Sequence, residues 1–317
     1  MYKEMTTSSS TPSFQLGKVG VLQKTLNKPI SCVGRGVHSG ERVQLRLLPA
    51  LPNTGIIFKR VDLDISIPGI WAGVISTQLC TTLGHPSGAK IATIEHLMAA
   101  LNALGVDNLI VEVGGAEIPV MDGSSEMFVD LIDQAGLQEQ DAPRRAIIVK
   151  RSLQVGSADR WVSLEPSVDR SFTFSCIFDR PIPFPDQHFT FILTPESFRE
   201  DISKARTFGF MEDLELLKAK GLAQGASLSN AVGLSASGVL NPEGLRYKDE
   251  CVRHKILDAV GDLALAGLPI IGAFTGYRSG HELNYQLVKS LMEDTSAYVI
   301  ASLDSIPQIH LPFGSAH

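Results

Sequence analysis

The segment Cys251-Val-Arg-His-Lys-Ile-Leu-Asp-Ala-Val-Gly-Asp262 has the pattern of an α-helix that carries chemically active groups along one side. His254, Asp258 and Asp262 are spaced four residues apart, so they share one helix face, with Glu250 one turn earlier. The opposite side is apolar and faces a predicted core through Val252, Ile256, Val260 and Leu263. A histidine and a carboxylate one turn apart can bind a metal ion together, but a metal site needs at least a third ligand.

A candidate third ligand lies far upstream, in the helical pattern Thr93-Ile-Glu-His-Leu-Met-Ala-Ala-Leu-Asn-Ala-Leu104. Here His96 stands near a helix start with Glu95 directly beside it. Two histidines and one aspartate can bind Zn²⁺ and leave a fourth position open for water, which is the catalytic rather than the structural zinc pattern. The metal lowers the pKa of its water towards about 7. Glu95 is then placed to take a proton from that water as a general base.

Asp262 lies one turn beyond Asp258 and is predicted to orient a further histidine by a hydrogen bond to its ring. The candidate is His281, in Tyr277-Arg-Ser-Gly-His-Glu-Leu-Asn284, after a predicted strand. Paired with a carboxylate, it would stay protonated near neutral pH and could donate a proton to a leaving amine. An anionic substrate such as a phosphate would be held by a small cationic set, namely Lys204, Arg206, Lys255 and Arg278.

Each of these motifs also has a simpler interpretation. A His254–Asp258 pair alone is more often a hydrogen-bonded pair than a metal site, and Lys255 and Arg278 alone would be solvated charges. The glycine-rich segment 34–40 around His38 is interpreted as a turn whose histidine is a satisfied donor. The remaining histidines have no supporting context and are expected at the surface, namely His85, His188, His310 and His317.

Three classes of protein fit two histidines and a carboxylate. The first is a zinc amide hydrolase. The second is an iron(II) oxygenase, although that class usually places an HxD pair on a double-stranded β-helix, whereas the spacing here is HxxxD on a helix. The third is a non-catalytic sugar-nucleotide binding protein with a structural metal, which would leave a paired base and acid around an open metal position without a purpose.

Composition limits the class of protein further. The 317 residues are 44% hydrophobic, enough for two domains. The net charge is −6 with dispersed Lys and Arg, so nucleic acid is not an expected partner. No run approaches the roughly 20 apolar residues of a membrane helix, and no signal core is present. The four cysteines are far apart, as in reduced cytosolic proteins. We expect a cytoplasmic, monomeric protein that does not span a membrane.

The same order of patterns occurs twice along the chain. In the first half, strand patterns at 23–27, 43–48 and 108–113 accompany predicted helices at 94–104 and 125–135. In the second half, strand patterns at 146–150, 161–165 and 171–178 precede the helix of His254, and another strand follows at 269–275. In each half the histidine-bearing helix is followed by a glycine, Gly105 or Gly267, and then by a buried strand.

We therefore predict an α+β fold of two similar domains, each a β-sheet with two helices, with the helical layers packed between the sheets. The first domain, 18–142, carries Glu95 and His96, and the second, 143–310, carries His254, Asp258 and His281. The metal site would lie at their junction, where binding sites are common. The polar segment 138–145 is the predicted linker, and residues 1–17 are predicted to be a disordered tail.

Nine segments, taken in order, resemble the bacterial UDP-3-O-acyl-N-acetylglucosamine deacetylases over nearly the whole chain. These segments are Gly34-Arg-Gly-Val-His-Ser-Gly40, Leu79-Cys-Thr-Thr82, Thr93-Ile-Glu-His-Leu97, Gly105-Val-Asp-Asn108, Glu117-Ile-Pro-Val-Met-Asp-Gly123, Ala205-Arg-Thr-Phe-Gly-Phe210, Leu240-Asn-Pro-Glu-Gly-Leu245, Val252-Arg-His-Lys-Ile-Leu-Asp258 and Ser279-Gly-His281. The resemblance implies two βααβ domains and hydrolysis of the N-acetyl group of UDP-3-O-(3-hydroxyacyl)-N-acetylglucosamine. Acetate would be released, in the biosynthesis of the lipid A of Gram-negative lipopolysaccharide.

The resemblance also implies a role for individual residues. His96, His254 and Asp258 would hold Zn²⁺, with Fe²⁺ as an alternative. Glu95 would be the base, His281 the acid supported by Asp262, and Thr207 would help to hold the oxyanion. An insert within 210–240 would line an apolar passage for the acyl chain, although its helix at 212–220 alone predicts ordinary amphipathic packing. The implied substrate-binding residues are Leu79, Phe208, Leu214, Ala223, Ser227, Lys255 and Arg278.

Overall fold

The computed structural model describes residues 21–178 and 185–305 of the chain. The predicted tail, 1–17, lies outside the described residues, as do His310 and His317. All four cysteines are free thiols. Within the described ranges no helix is long and apolar enough to cross a bilayer.

Within residues 21–143 the chain forms ten strands and two α-helices. Its strands are β1 (Leu22–Leu26), β2 (Ile30–Arg35), β3 (Arg42–Pro49), β4 (Ile56–Arg60), β5 (Ile65–Pro68), β6 (Val74–Ser76), β7 (Thr82–Gly84), β8 (Lys90–Ile91), β9 (Leu109–Val113) and β10 (Leu137–Pro143). Its helices are α1 (Glu95–Leu104) and α2 (Glu126–Ala135). The main sheet has the order β2-β3-β9-β4-β5, with β9 antiparallel to β3 and parallel to β4.

The described residues of the second half, 144–178 and 185–305, form ten more strands and four α-helices. Its strands are β11 (Arg145–Val149), β12 (Leu153–Ser157), β13 (Arg160–Glu165), β14 (Arg170–Cys176), β15 (Gln187–Ile192), β16 (Phe208–Phe210), β17 (Val232–Ser235), β18 (Gly238–Val239), β19 (Ile270–Tyr277) and β20 (Tyr298–Ser302). Its helices are α3 (Pro195–Ser197), α4 (Met211–Ala219), α5 (Glu250–Leu263) and α6 (His281–Glu293). The main sheet follows the order β12-β13-β19-β11-β20, with β14 beside β19 and β15 beside β14.

The predicted α+β fold with helices packed between sheets is confirmed. Helix α1 packs against α2 in the first half and α5 packs against α6 in the second, and α1 and α5 pack against each other. The predicted repetition is also present, because α1 leads into β9 and α5 leads into β19, each a buried strand in its main sheet. Helix α1 ends at Gly105, whose φ of 75° is the left-handed conformation that glycine adopts most easily.

One local expectation is wrong. The predicted linker at 138–145 is mostly strand β10, which pairs antiparallel with β1. Its polar side chains fit a two-stranded ribbon that is largely exposed, and the side-chain N–H of Gln140 donates to the carbonyl oxygen of Ala50 at 2.7 Å. The predicted apolar side of α5 faces the core, and its polar stripe is buried as well, because α1 packs against this helix.

Candidate metal centre and adjoining cavity

Two helices from different halves of the chain bring three metal-ligand side chains together. His96 lies in the first turn of α1, and His254 and Asp258 lie one turn apart on α5. The Oδ1 atom of Asp258 is 3.2 Å from Nε2 of His254 and 3.7 Å from Nε2 of His96. The potential ligand atoms of the three residues all lie within 4.8 Å of one another, and all three side chains are buried.

The close approach of the two helices depends on Gly261. A Cβ atom added at this position would lie 2.1 Å from the carbonyl oxygen of Glu95. Since Glu95 directly precedes His96, the bare backbone of α5 at Gly261 sets how closely the first turn of α1 can approach Asp258.

The donor set fits a divalent metal. Oδ1 of Asp258 is buried and has no hydrogen-bond partner among the described residues, while its Oδ2 accepts a hydrogen bond from Lys255 at 2.7 Å. Nδ1 of His254 lies 3.0 Å from the carbonyl oxygen of Ala205, so Nδ1 donates and the Nε2 lone pair points into the cluster. A buried, unpaired carboxylate oxygen between imidazole nitrogens is costly unless a cation binds there.

The protonation states also suit metal ligands. Burial, with the neighbouring His254, lowers the pKa of His96 to about 3, so its imidazole is neutral. Burial opposes ionisation of Asp258, but the neighbouring His254 ring and the charge of Lys255 outweigh it and hold the pKa of this carboxyl well below its usual value. Neutral imidazole and ionised carboxylate are the forms that bind metals.

Glu95 is buried beside the ligand cluster. Its Oε2 accepts a hydrogen bond from the backbone N–H of Thr81 at 3.1 Å, and its Oε1 lies 3.7 Å from Nε2 of His281. Burial raises the pKa of Glu95 well above its usual value, and the charge of His281 opposes that shift. A carboxyl group with a raised pKa can take up a proton near neutral pH more readily than an exposed one.

The histidine that Asp262 was expected to orient is His281, as predicted. Nδ1 of His281 donates to Oδ2 of Asp262 at 2.8 Å. Asn284 donates to the same oxygen at 2.9 Å, and the hydroxyl of Thr81 donates to Oδ1 at 2.6 Å. Burial disfavours the charged ring, but Asp262, Asp258 and Glu95 outweigh it and raise the pKa of His281 to about 10. This imidazole is therefore protonated at neutral pH, with Nε2 directed towards Glu95.

The cluster lies on the wall of a cavity of about 380 Å³, which we call the metal-site cavity. Glu95, His281 and the three ligand residues are among the polar residues that line it. Most of the predicted substrate-binding residues also line it, namely Leu79, Phe208, Leu214, Ala223, Ser227 and Lys255, as does the predicted oxyanion-binding residue Thr207. Arg278 does not, but lines an adjacent cavity of about 390 Å³, the side cavity, which shares Phe208 and Lys255 with the first.

The predicted cationic set is wrong in two members, Arg206 and Lys204. Arg206 is buried and donates to Glu250 at 2.9 Å and to Glu243 at 2.5 Å, so its guanidinium lies outside both cavities. Lys204 also lies outside them, with Nζ 3.8 Å from Glu126. The carboxylate of Glu250 also accepts the backbone N–H of Arg206, one residue before Thr207. This buried pair holds the loop before Thr207 in position.

The prediction from sequence did not include several residues that line the metal-site cavity or support its wall. His38 was interpreted as part of a plain turn, but it lines the metal-site cavity, with Nδ1 accepting from Ala223 N–H at 3.4 Å. The turn is anchored by buried Glu117, which accepts the N–H groups of His38 and Ser39, both at 2.9 Å. Asp213, on the predicted helix at 212–220, also lines the cavity. By contrast, His85 and His188 are exposed, as predicted.

Thr81 and Asn284 were not singled out either. Thr81 lies within the quoted segment Leu79-Cys-Thr-Thr82, yet its contact with Asp262 joins residues that are 181 positions apart. No local periodicity can indicate such a pair. The only sequence signal for Thr81 was its place in the segment Leu79-Cys-Thr-Thr82, which resembles the deacetylase family.

The sequence matches the family of UDP-3-O-acyl N-acetylglycosamine deacetylases, LpxC, over residues 23–293. A protein from Wolinella succinogenes is 46% identical over 282 residues, which cover 89% of this chain and 94% of that protein. One from Myxococcus xanthus is 48% identical over 281 residues, 88% of each chain. One from Shewanella oneidensis is 45% identical over 287 residues, 90% of this chain and 94% of that protein. All three carry the name UDP-3-O-acyl-N-acetylglucosamine deacetylase.

Proposed function

Because this chain belongs to the family of UDP-3-O-acyl N-acetylglycosamine deacetylases, we propose that it hydrolyses the N-acetyl group of UDP-3-O-(3-hydroxyacyl)-N-acetylglucosamine. Acetate and a free amine are the products, in the biosynthesis of lipid A. The observation that carries this proposal is the buried His96–His254–Asp258 cluster with its unpaired carboxylate oxygen, next to a carboxyl and an imidazolium in one cavity. That combination supplies the parts of a metal-dependent amidohydrolase.

His96, His254 and Asp258 would hold the metal through two imidazole nitrogens and one carboxylate oxygen. Zn²⁺ suits this set, and Fe²⁺ is the alternative. Bound there, the ion would act as a Lewis acid towards the amide carbonyl, lower the pKa of water and favour the ionised form of Glu95. The residue spacing favours the hydrolase over an iron(II) oxygenase, because the His254–Asp258 pair is HxxxD on a helix.

The proton transfers fall to Glu95 and His281. Glu95 takes a proton from the attacking water, and Nε2 of His281 gives a proton to the amine nitrogen as the C–N bond breaks. The two groups are 3.7 Å apart, so the proton gained by Glu95 can restore His281 after the reaction. Asp262 accepts from Nδ1 at 2.8 Å and thus keeps the acidic proton on Nε2, facing the cavity.

Thr207 is placed to donate a hydrogen bond to the developing oxyanion. Its backbone is fixed on both sides, since its N–H donates to the carbonyl of Gly123 and its carbonyl accepts from Val232 N–H, both at 2.7 Å. Its side chain lines the metal-site cavity. A donor held in this way costs little reorganisation when charge develops.

The metal-site cavity continues into an apolar region that we assign to the acyl chain. Helix α4 has no buried residue, while Leu214 and Leu217 line the cavity, which favours a passage wall over packing onto a core of its own. Ala223 and Ser227 extend that wall and Leu79 lies at its edge. A long alkyl chain buried there contributes about 0.8 kcal/mol per methylene.

We assign the UDP group to the side cavity. Lys255 and Arg278 contribute positive charge there, and the Phe208 ring, with Nζ of Lys255 at 5.5 Å from its centroid, offers a flat apolar surface. Because Phe208 and Lys255 line both cavities, a substrate can occupy them together. We further propose that the enzyme acts as a cytoplasmic monomer of two domains, 18–142 and 143–310, with the reaction at their junction.

The test is acetate release by the purified chain from UDP-3-O-acyl-N-acetylglucosamine, measured before chelation, after chelation and after Zn²⁺ is restored. Activity should disappear with the metal and return with it. A metal-loaded protein that binds the substrate but releases no acetate would contradict the proposal.

A further inference from the structure

A third cavity, of about 390 Å³, shares no lining residue with the metal-site cavity, and we call it the distal cavity. It lies between the two halves of the chain, further along the same helices that carry the metal ligands. Met98, Leu101 and Asn102 of α1 form one wall, and residues 264–269 after α5 form another. Its volume lies within the range of small-molecule sites.

Most of the wall is apolar. Ile56, Ile57, Leu268 and Met292 line the cavity and are only partly buried. Ile300, also in the wall, remains 45% exposed. Apolar side chains that enclose a cavity without filling it gain hydrophobic stabilisation when an apolar ligand covers them.

Two of the residues that line the cavity, Arg144 and Arg145, are cationic. Arg144 forms an ion pair with Asp107 through Nε at 2.8 Å, and the other oxygen of Asp107 accepts the backbone N–H of Lys24. Within residues 21–178 and 185–305, Nη1 and Nη2 of Arg144 have no partner, and neither does the exposed side chain of Arg145. Asp107 is the only acidic residue among those lining the cavity.

A third arginine lies behind this wall. Arg170 donates to Oδ1 of Asn102 at 2.6 Å and to the carbonyl of Ile270 at 3.3 Å, both neutral acceptors. No carboxylate in the described part of the chain forms an ion pair with it. Burial, and then the charge of Arg144, lower the pKa of Arg170 to about 9. A partly buried cation without a counter-ion is unfavourable, so a nearby anion would stabilise this region.

We propose that the distal cavity binds an amphipathic anion, with a carboxylate or phosphate head on the Nη atoms of Arg144 and an alkyl tail against Leu101, Leu268 and Met292. The guanidinium fork matches either head group. Arg170 favours the same charge through Asn102, which lines both the cavity and the small void around Arg170. Three arginines against one aspartate leave the site positive in a chain of net charge −6.

The test is calorimetric titration of the full chain with four probes: decanoate, decyl phosphate, decanol and inorganic phosphate. Decanoate and decyl phosphate should bind at least tenfold more tightly than decanol or phosphate, because only they carry both head and tail. Preference for one of the first two identifies the head group. Equal binding of decanol, or no binding of either anionic probe, would overturn the proposal.

Amide hydrogen exchange distinguishes this site from the proposed acyl passage. Decanoate should slow exchange at 98–108 and 264–270. Protection confined to 207–228 would place the probe in the metal-site cavity and overturn the proposal.

Substitutions then test the contacts. Arg144→Gln should weaken decanoate binding about tenfold or more, as expected for loss of a charge-assisted hydrogen bond. Leu268→Trp should abolish binding by filling the cavity. Arg42→Gln, at an exposed arginine on β3, is the matched control and should bind as wild type does. If Arg144→Gln and Leu268→Trp also bind as wild type does, the site lies elsewhere.

Discussion

Replacing Gly261 with alanine should separate the two metal-binding helices and weaken metal binding. The added Cβ would lie 2.1 Å from the carbonyl oxygen and 2.8 Å from the carbonyl carbon of Glu95, and both are backbone atoms of α1. Ordinary contact begins near 3.4 Å, so the helices must part by about 1 Å, a shift that packed cores resist. No flexible side chain is available to absorb this shift.

The expected effect has two contributions, the cost of overpacking the helix contact and the displacement of the metal ligands. Overpacking of this kind typically costs about 1–3 kcal/mol of unfolding free energy. The shift also moves His96 relative to Asp258, although metal–ligand distances tolerate only about 0.2 Å. A misplacement of about 1 Å near a reacting centre lowers rates by about 100-fold. We therefore expect weaker metal binding, lower stability and a kcat/KM reduced about 100-fold.

The assay combines zinc affinity, measured by competition with a chelator, with urea unfolding of the metal-free protein. Gly115→Ala is the matched control, because its Cβ would meet only Val43 at 3.5 Å, an ordinary contact. The control should keep wild-type affinity. If Gly261→Ala binds zinc as tightly as Gly115→Ala does, the close helix contact does not position the ligands.

Three further predictions concern the pH dependence of catalysis, the hydrogen bond from Thr81 to Asp262 and the position of the acyl chain. Catalysis requires the protonated form of His281, and the pKa of this residue is raised to about 10. We therefore expect kcat/KM to fall as the pH rises through that value. On the acidic side, kcat/KM should increase with pH as Glu95 becomes ionised. A basic limb that survives in His281→Gln would assign the acid to another group. Thr81→Val removes the hydroxyl that donates to Asp262 at 2.6 Å, and should lower the free energy of unfolding by about 1–3 kcal/mol, because a buried carboxylate oxygen loses its partner. Thr81→Ser keeps the hydroxyl and should have the wild-type free energy of unfolding in urea. A wild-type free energy of unfolding for Thr81→Val would contradict the supporting role of this hydrogen bond. Ala223→Trp should reduce kcat/KM for a long-chain substrate far more than for a deacylated analogue, and equal effects would move the acyl chain elsewhere.

The helices and strands around the site could be predicted because their signals are local. The spacing of His254, Asp258 and Asp262 needs only one helix, and the glycine after α1 marks its end. The pairing of His96 with Asp258 joins distant parts of the chain, so spacing alone left it as one candidate among several. The resemblance to the deacetylase family identified His96 as the third metal ligand.

The errors came from contacts that sequence patterns do not record. Arg206 has the polarity of a substrate-binding cation, but its partner is Glu250, 44 residues away and fully buried. Segment 138–145 has the composition of a linker, yet pairing with β1 satisfies its backbone and makes it a strand. The glycine-rich turn at His38 reaches the site because Glu117, from a distant segment, holds it there.

The most direct test of the account is the metal content of the purified chain and of two variants, measured by elemental analysis alongside deacetylase activity. Wild type should carry one equivalent of metal, and Asp258→Ala should lose both metal and activity, because two protein ligands hold zinc poorly. Glu95→Gln should keep the metal and lose about 10²–10⁴-fold in rate. Full metal content in Asp258→Ala would contradict the proposed metal site, and wild-type activity in Glu95→Gln would contradict the proposed base.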